Sequence, residues 1–498
     1  MFYDELLAGP APHKIAIIDQ DRQITYGQLR EKVDHWARYL QEAGLQQGDR
    51  VGLFSRNCAE FVTAYFAVIR AGGVIVPLNF QLVPREVAFM AKDAAMKLLI
   101  TQEKLPLEDA LAELGLQSLP QYTFGDLDGP VSQPLRTYER NENDNCTIIY
   151  TSGTTGTPKG AMLSHKNLLC NARDYLLAVK FQPEDIVLCL LPMYHCYGWT
   201  VCITGVFNIG ATVVIQANYN FKTALRLVQK YRISIFVAVP AVMELLLDGA
   251  KPEEIATVRE FICGGASLGQ IMGPAFAKKF GKPVMEGYGL SEASPVVSVN
   301  LPDKIKYGSI GPSLPNVTVH IVDEENHIVP QGQKGEVVVQ GDNVMLGYLN
   351  QPEATKEAFA GGWLHTGDIG YEDEDGFIFL VDRVKDMVIS SGENVYPREV
   401  ENVIRKYPGI REAAVFGVPD RLRGQAITAC LILQDGADVS SAALRKYLLD
   451  HMAAYKVPRK YFFMKDFPRT GLGKVRKNIL RQQIVDILKE NSKAGRPL

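Results

Sequence analysis

Short apolar runs and amphipathic helical stretches take turns along the first half of this chain, and that alternation restricts the fold more than any other feature. From Ile24 the residues ITYGQLREKVDHWARYLQEAGL place Leu29, Val33, Trp36 and Leu40 at helical spacing, with Thr25 and Gln28 as a capping box and Gly44 as a stop. RVGLF then reads as a strand, AEFVTAYFAVIRAG as a helix and GVIVPLN as a strand, and FKTALRLVQKYRISIFVAVPAVMELLL repeats helix, strand, helix. Alternation of this kind predicts an α/β fold: a large N-terminal domain, 1–384, built from layered and largely parallel sheets. Its last part, about 315–384, changes to two β runs joined by polar and Gly-rich turns (VTVHIVDEENHIVPQGQKGEVVVQG), which predicts a small β subdomain. Residues 385–498 read as helix, strand, turn, strand and a further helix near Ser441–His451, a small C-terminal α+β domain.

A chain of 498 residues with 47% hydrophobic and 22% charged residues can bury a sizeable core, which excludes disorder, collagen and coiled coil. The net charge of −3 argues against a protein built as a whole for nucleic acid. It conceals an asymmetry, because residues 441–498 hold 14 Lys plus Arg against 4 Asp plus Glu. A polyanionic ligand near the C-terminus suits that stretch. Its basic residues are interspersed with ordinary helix and strand patterning, not laid out as a stripe with stacking aromatics, so nucleic acid is not expected as a partner. The eight cysteines form no CxxC pair or metal spacing, and MFYDELLAGP lacks the pattern of a secretory signal. A reduced, cytoplasmic chain is expected. No charged residue stands between Asp185 and Lys222, long enough to span a bilayer. Pro192, His195, Gly198, Asn208 and Gly210 interrupt it and two β-rich runs flank it, so buried core is expected and no transmembrane segment.

The strongest local signal is YTSGTTGTPKG, Tyr150 to Gly160, directly after the apolar CTIIY. Such a loop can wrap backbone N–H groups and hydroxyls around phosphates, with Gly allowing close approach and Lys159 adding a point charge. It lacks the Walker spacing GxxxxGK[ST]. A plain flexible turn would explain the Gly and Thr but not five Ser and Thr hydroxyls and a lysine after a buried strand.

This loop resembles the phosphate-binding signature of the adenylate-forming superfamily: acyl-CoA synthetases, amino-acid adenylation domains and luciferases. The likeness continues in order through GGA (Gly264, Gly265, Ala266), GYGLSE (Gly287 to Glu292), TGD (Thr366 to Asp368), DRVKD (Asp382 to Asp386) and PRTGLGK (Pro468 to Lys474). The resemblance implies a large N-terminal domain, a small mobile C-terminal lid, and a two-step reaction with ATP, Mg²⁺ and coenzyme A. A carboxylate attacks the α-phosphate to give an acyl-adenylate and pyrophosphate, and a thiol then displaces AMP.

The same resemblance assigns roles. Ser152, Gly153, Thr154, Thr155, Gly156 and Lys159 hold the phosphates, and Glu292 with Thr151 holds Mg²⁺, neutralising charge where one anion attacks another. Ser291 replaces the family's usual Thr and keeps its hydroxyl. Tyr288 stacks on adenine beside Gly264, Gly265 and Ala266, next to Gly287. Asp368 accepts the ribose hydroxyls and Arg383 adds a second contact. Lys474, on a Gly-flanked basic loop, reaches the reacting carboxylate and α-phosphate. Lys385 is the hinge of the lid, and SSGENVYP, including Gly392, lines the pantetheine tunnel. His195 neighbours the substrate carboxylate, Trp199 gates an acyl tunnel, and Val239 and Gly289 line the substrate site. Taken singly, each has an ordinary reading: a core histidine or aromatic, a surface turn, a solvated lysine.

The expected activity is an acid:CoA ligase for a medium- or long-chain fatty acid. Alternatives are an aryl-CoA ligase, an acyl-AMP ligase, which ordinarily carries an insertion after the hinge that is absent here, and a non-catalytic AMP-binding module, which would not need Lys474. Partners are then the acid, ATP and CoA, with a homodimer left open.

Overall fold

The computed structural model describes the chain apart from residues 153–157, 391–392, 421–423, 470–472, 474 and 494–498, with the side chains of a few neighbours, among them Ser152 and Lys385, also outside the description. Two compact units emerge: Met1–Val319 with Val338–His365, and His320–Val337 with Thr366–Leu498. The units divide the chain differently from a cut at 384/385, because 320–337 and 366–384 group with the C-terminal residues. Side chains explain the grouping. Glu399 pairs with Lys334 and, at 2.7 Å, with Lys456, while the Asp382 carboxylate accepts the Arg398 N–H at 2.7 Å.

The first unit contains two large sheets. Eight strands run in the order Val296–Val299, Val284–Gly289, Glu260–Cys263, Ile235–Ala238, Ile186–Cys189, Thr212–Ile215, Ile15–Asp19, Arg22–Thr25. Seven run Gly347–Tyr348, Pro158–Ser164, Asn145–Ser152, Val74–Leu78, Arg50–Phe54, Met96–Thr101, Gln121–Thr123. Their centres are parallel and their strands nearly continuous in apolar residues, as expected for sheets covered on both faces. The helix expected from Ile24 spans Tyr26–Glu42. Thr25 Oγ1 accepts the Gln28 N–H and Gln28 Oε1 accepts the Thr25 N–H, and Gly44 ends the helix at φ +95°. Its Leu29, Val33, Trp36 and Leu40 are all buried.

The charge-free stretch resolves into the buried strands Ile186–Cys189 and Thr212–Ile215 around a helical segment, Cys196–Asn208, whose middle, Thr200–Thr204, is π-helical. Among the described residues no helix is long and apolar enough to cross a membrane. All eight cysteines are free.

A four-stranded sheet follows the order Val317–Val322, Gly335–Gly341, Leu364–Glu372, Ile378–Arg383. In the second unit the long hairpin Ile410–Asp420 and Gly424–Leu433 is the centre of a five-stranded sheet. Alternation along it sends Val415, Ile427 and Leu431 to one core, with helices Pro397–Ile404 and Ser441–His451, and Phe416, Cys430 and Ile432 to another, with Leu480 and Ile484.

Candidate active site

The site in the first unit is built on the hairpin Asn145–Ser152 and Pro158–Ser164, which pairs Thr151 with Lys159. Residues 153–157 connect these strands, so the expected phosphate ligands Gly153, Thr154, Thr155 and Gly156 lie outside the described residues, as do Gly392, Lys474 and the side chains of Ser152 and Lys385. What the hairpin does fix is Thr151, whose Oγ1 donates to Glu292 Oε1 at 3.3 Å. Glu292 stands in the single turn Ser291–Ala293, held by Met345 N–H to the Glu292 carbonyl (2.8 Å) and Asn343 Nδ2 to the Ala293 carbonyl (2.9 Å). Tyr348 donates its hydroxyl to the same Glu292 oxygen at 2.9 Å, and the Lys159 ammonium lies 5.1 Å from the centre of the Tyr348 ring. A carboxylate and a threonine hydroxyl brought together offer the hard oxygens that Mg²⁺ takes, so these two residues fit that ion.

Ser291 Oγ meets Cys196 Sγ at 3.2 Å, which brings the Glu292 turn beside His195. His195 caps the short helix Cys196–Trp199, its Nδ1 accepting the Tyr197 N–H at 3.1 Å. Burial pushes its pKa down to about 4. With Nδ1 occupied as an acceptor, the neutral ring carries its proton on Nε2 and can donate there to a carboxylate.

Burial also lowers His165, whose Nδ1 accepts the Tyr3 N–H, to about 4. Both rings are neutral in the folded chain while the unfolded chain holds protons on them below about pH 6.5, so unfolding takes up protons between about pH 6.5 and 4. Stability should therefore fall as the pH drops through that window. For the closely packed His165 the full fall is about 3 kcal/mol, and for the half-buried His195 it is smaller. Urea midpoints measured at pH 7, 5.5 and 4.5 should decline for the native chain and decline less for His165→Asn. Equal slopes in the two would remove His165 as a cause.

Gly264 follows the strand Glu260–Cys263, and Gly265 adopts φ +80°. A β-carbon on Gly264 would come to 3.0 Å from the Tyr197 ring, so a larger residue there requires that ring to give way. Tyr288 and Gly287 lie on the neighbouring strand. At Gly289 a β-carbon would sit 1.9 Å from the Pro295 carbonyl, a position that admits glycine alone. Val239 is buried at the start of helix Pro240–Gly249 and approaches Gly265.

Trp199 is 2% exposed. Its ring stacks on Tyr65 at 3.9 Å, Phe61 and Phe66 flank it, and its Nε1–H donates to the Tyr3 hydroxyl at 2.7 Å. Tyr3 also shares a hydrogen bond with Thr204 and belongs to the 3₁₀ turn Tyr3–Leu7, whose Asp4 carboxylate is paired with Arg140 (2.6 Å) and Arg70 (3.3 Å). A packing role for Trp199 is thus on view. Trp199→Ala should destabilise the chain by about 3–5 kcal/mol, read by denaturant titration, and a loss below about 1 kcal/mol would contradict this packing.

In the second unit Asp368 faces Arg383 across the strands Leu364–Glu372 and Ile378–Arg383, with Arg383 Nε donating to Asp368 Oδ1 at 3.0 Å. Thr366 Oγ1 accepts the Asp368 N–H and the Gly367 N–H donates to Glu336, so the TGD turn is held from both sides.

Two contacts were not anticipated from sequence. Tyr348 is one. The other is Glu286, buried just before GYG, whose carboxylate accepts the Leu268 N–H at 2.9 Å and so ties the strand carrying Tyr288 to the turn after Ala266. A carboxylate inside the apolar run VMEGYG was the available signal for it. For Tyr348 there was none.

Two family models match: AMP-binding enzyme over residues 7–349 and AMP-binding enzyme C-terminal domain over 399–474. A feruloyl-CoA synthase of Amycolatopsis sp is 35% identical, covering 95% of this chain and 96% of the relative. A long-chain-fatty-acid–CoA ligase of Bacillus subtilis is 32% identical, covering 96% and 93%. Among solved structures, ATP-bound MatB from Rhodopseudomonas palustris superposes with a TM-score of 0.92 at 33% identity, covering 98% of this chain and all of that one. The o-succinylbenzoate CoA synthetase of Bacillus subtilis, in complex with its acyl-adenylate, gives 0.88 at 28% identity, covering 96% and 97%.

The chain belongs to the AMP-binding enzymes of the adenylate-forming superfamily. It is an ATP-dependent acyl- or aryl-CoA ligase, with ATP, Mg²⁺ and coenzyme A as its cofactors and co-substrates.

Proposed function

We propose that the acid is a medium- or long-chain fatty acid, activated as its adenylate and released as the CoA thioester. The observation that carries this reading is the segment between Asp185 and Lys222, which has no charged residue and whose Trp199, Cys202, Ile203, Val206 and Phe207 are all buried. Chemistry near such a wall favours an apolar tail over a dicarboxylate. The feruloyl-CoA synthase relative supports a second reading, an aryl acid. Here Trp199 would shape the acyl site through the packing of its aromatic cluster, together with Val239 and Gly289.

In this reading the neutral His195 donates from Nε2 to the substrate carboxylate and holds it without adding charge. Ser152 to Gly156 and Lys159 cradle the phosphates, while Tyr288, Gly264 to Ala266 and Gly287 frame the adenine and Ser291 fixes the turn. Thr151 and Glu292 hold Mg²⁺, which when bound offsets phosphate charge. Lys474 meets the negative charge that builds between carboxylate and α-phosphate. Asp368 and Arg383 hold the ribose, residues from Lys385 onward form a lid that turns about Lys385, and the Gly392 segment guides pantetheine. Eight free cysteines support a reducing, cytoplasmic setting.

Pyrophosphate and AMP release, measured with ATP, Mg²⁺, CoA and a panel of carboxylic acids, tests the assignment. The highest kcat/KM should fall on straight-chain acids of medium or long length. A clear preference for hydroxycinnamates or benzoates would replace it with the aryl reading.

A further inference from the structure

We propose that Tyr348 is a positioning residue for the magnesium site: its hydroxyl turns the Glu292 carboxylate so that one oxygen is held and the other is presented to the metal. The inference rests on reading Glu292 as the metal-binding carboxylate.

Backbone contacts hold Tyr348 in place before its side chain is considered. The two-residue strand Gly347–Tyr348 pairs antiparallel with the strand after the phosphate loop, matching Tyr348 with Ala161. Hydrogen bonds flank it, from Leu346 N–H to the Met162 carbonyl (2.9 Å) and from Leu349 N–H to the Gly160 carbonyl (2.8 Å), while the Tyr348 N–H donates to Thr355 Oγ1 (2.9 Å). A side chain on so fixed a backbone is a reference point. Its hydroxyl reaches Glu292 Oε1 at 2.9 Å, and Thr151 Oγ1 reaches that same atom at 3.3 Å. Among the described residues Glu292 Oε2 has no hydrogen-bond partner. Two donors on one carboxylate oxygen fix the plane of the group and leave the second oxygen as the ligand, the way outer hydrogen bonds orient metal ligands elsewhere. The Tyr348 ring also faces the Lys159 ammonium, linking the metal carboxylate to the loop lysine through one side chain.

The test is calorimetric binding of ATP at stepped Mg²⁺ concentrations to the whole chain, native, as Tyr348→Phe and Glu292→Gln, and with para-aminophenylalanine placed at 348, with folding checked by thermal melts. Tyr348→Phe keeps the ring against Lys159 and loses the donor. The Mg²⁺ concentration that half-restores ATP affinity should rise about 10- to 100-fold, and affinity at saturating Mg²⁺ should return to near native. para-Aminophenylalanine at 348, which keeps the ring and an N–H donor at the para position, should recover most of the native Mg²⁺ dependence. If Glu292→Gln shifts the Mg²⁺ dependence and Tyr348→Phe does not, or if Phe and para-aminophenylalanine shift it equally, the proposal is overturned. If Glu292→Gln leaves it unshifted, the metal reading of Glu292 fails instead, a separate outcome. Should the Phe variant not fold, the para-aminophenylalanine variant decides: native Mg²⁺ dependence upholds the proposal and a tenfold or larger rise, on the order of the Phe expectation, overturns it.

Discussion

Glu292→Gln should still bind ATP yet release pyrophosphate about 10²–10³ times more slowly, since losing one preorganised electrostatic group costs on that order. The substitution preserves shape, and the glutamine carbonyl oxygen can go on accepting from Thr151 and Tyr348, the two donors now on Glu292 Oε1. What disappears is the charge. The defect should therefore appear in the adenylation step, measured by pyrophosphate release in single-turnover mixtures, with only a modest change in the KM for the acid. Near-native release at saturating Mg²⁺ would end the assignment of Glu292 as the metal carboxylate.

The second large effect separates the two half-reactions. If residues from Lys385 onward rotate as a lid, Lys474 is needed only while the adenylate forms. Lys474→Ala should lower adenylation by about 10²–10³ while still converting supplied acyl-adenylate and CoA to thioester. Lys385→Pro should do the reverse. Proline holds φ near about −65° and removes an N–H, which would fix the hinge in one setting and slow thioester formation alone. Both steps are read by rapid-quench kinetics with either ATP plus acid or the preformed adenylate. Equal slowing of both steps in both variants would remove the alternating lid from this chain's mechanism.

Much of this molecule was legible because its signals are local. The Thr25 and Gln28 cap, the strand RVGLF and the second-unit order of helix, hairpin and helix each depend on residues within a turn or a strand of one another. Periodicity reports such neighbours directly. The motifs stood out in the sequence because glycines and hydroxyls occur there in combinations that plain packing does not require. Contacts that close over long stretches of chain left no such trace. Tyr348 meets Glu292 across 56 positions and Trp199 meets Tyr3 across 196. Glu286 reaches Leu268 over 18, and only its charge within an apolar strand hinted at it. The grouping of 320–337 with the C-terminal residues likewise follows from pairs such as Lys334 with Glu399, whose partners no pattern connects.

The turn Tyr3–Leu7 bears on how chains of this kind can be recombined. Its Tyr3 hydroxyl is the acceptor for Trp199 and its Asp4 is the shared counter-charge of Arg70 and Arg140, so the first seven residues and the segment from His195 to Phe207 form one mutually fitted unit despite their distance in sequence. A chimera that exchanges the 195–207 segment with a relative while keeping the native first residues would set a foreign side chain against the Tyr3 hydroxyl. The breakpoints that preserve this fit are therefore paired ones, transferring the opening turn together with the aromatic segment it backs.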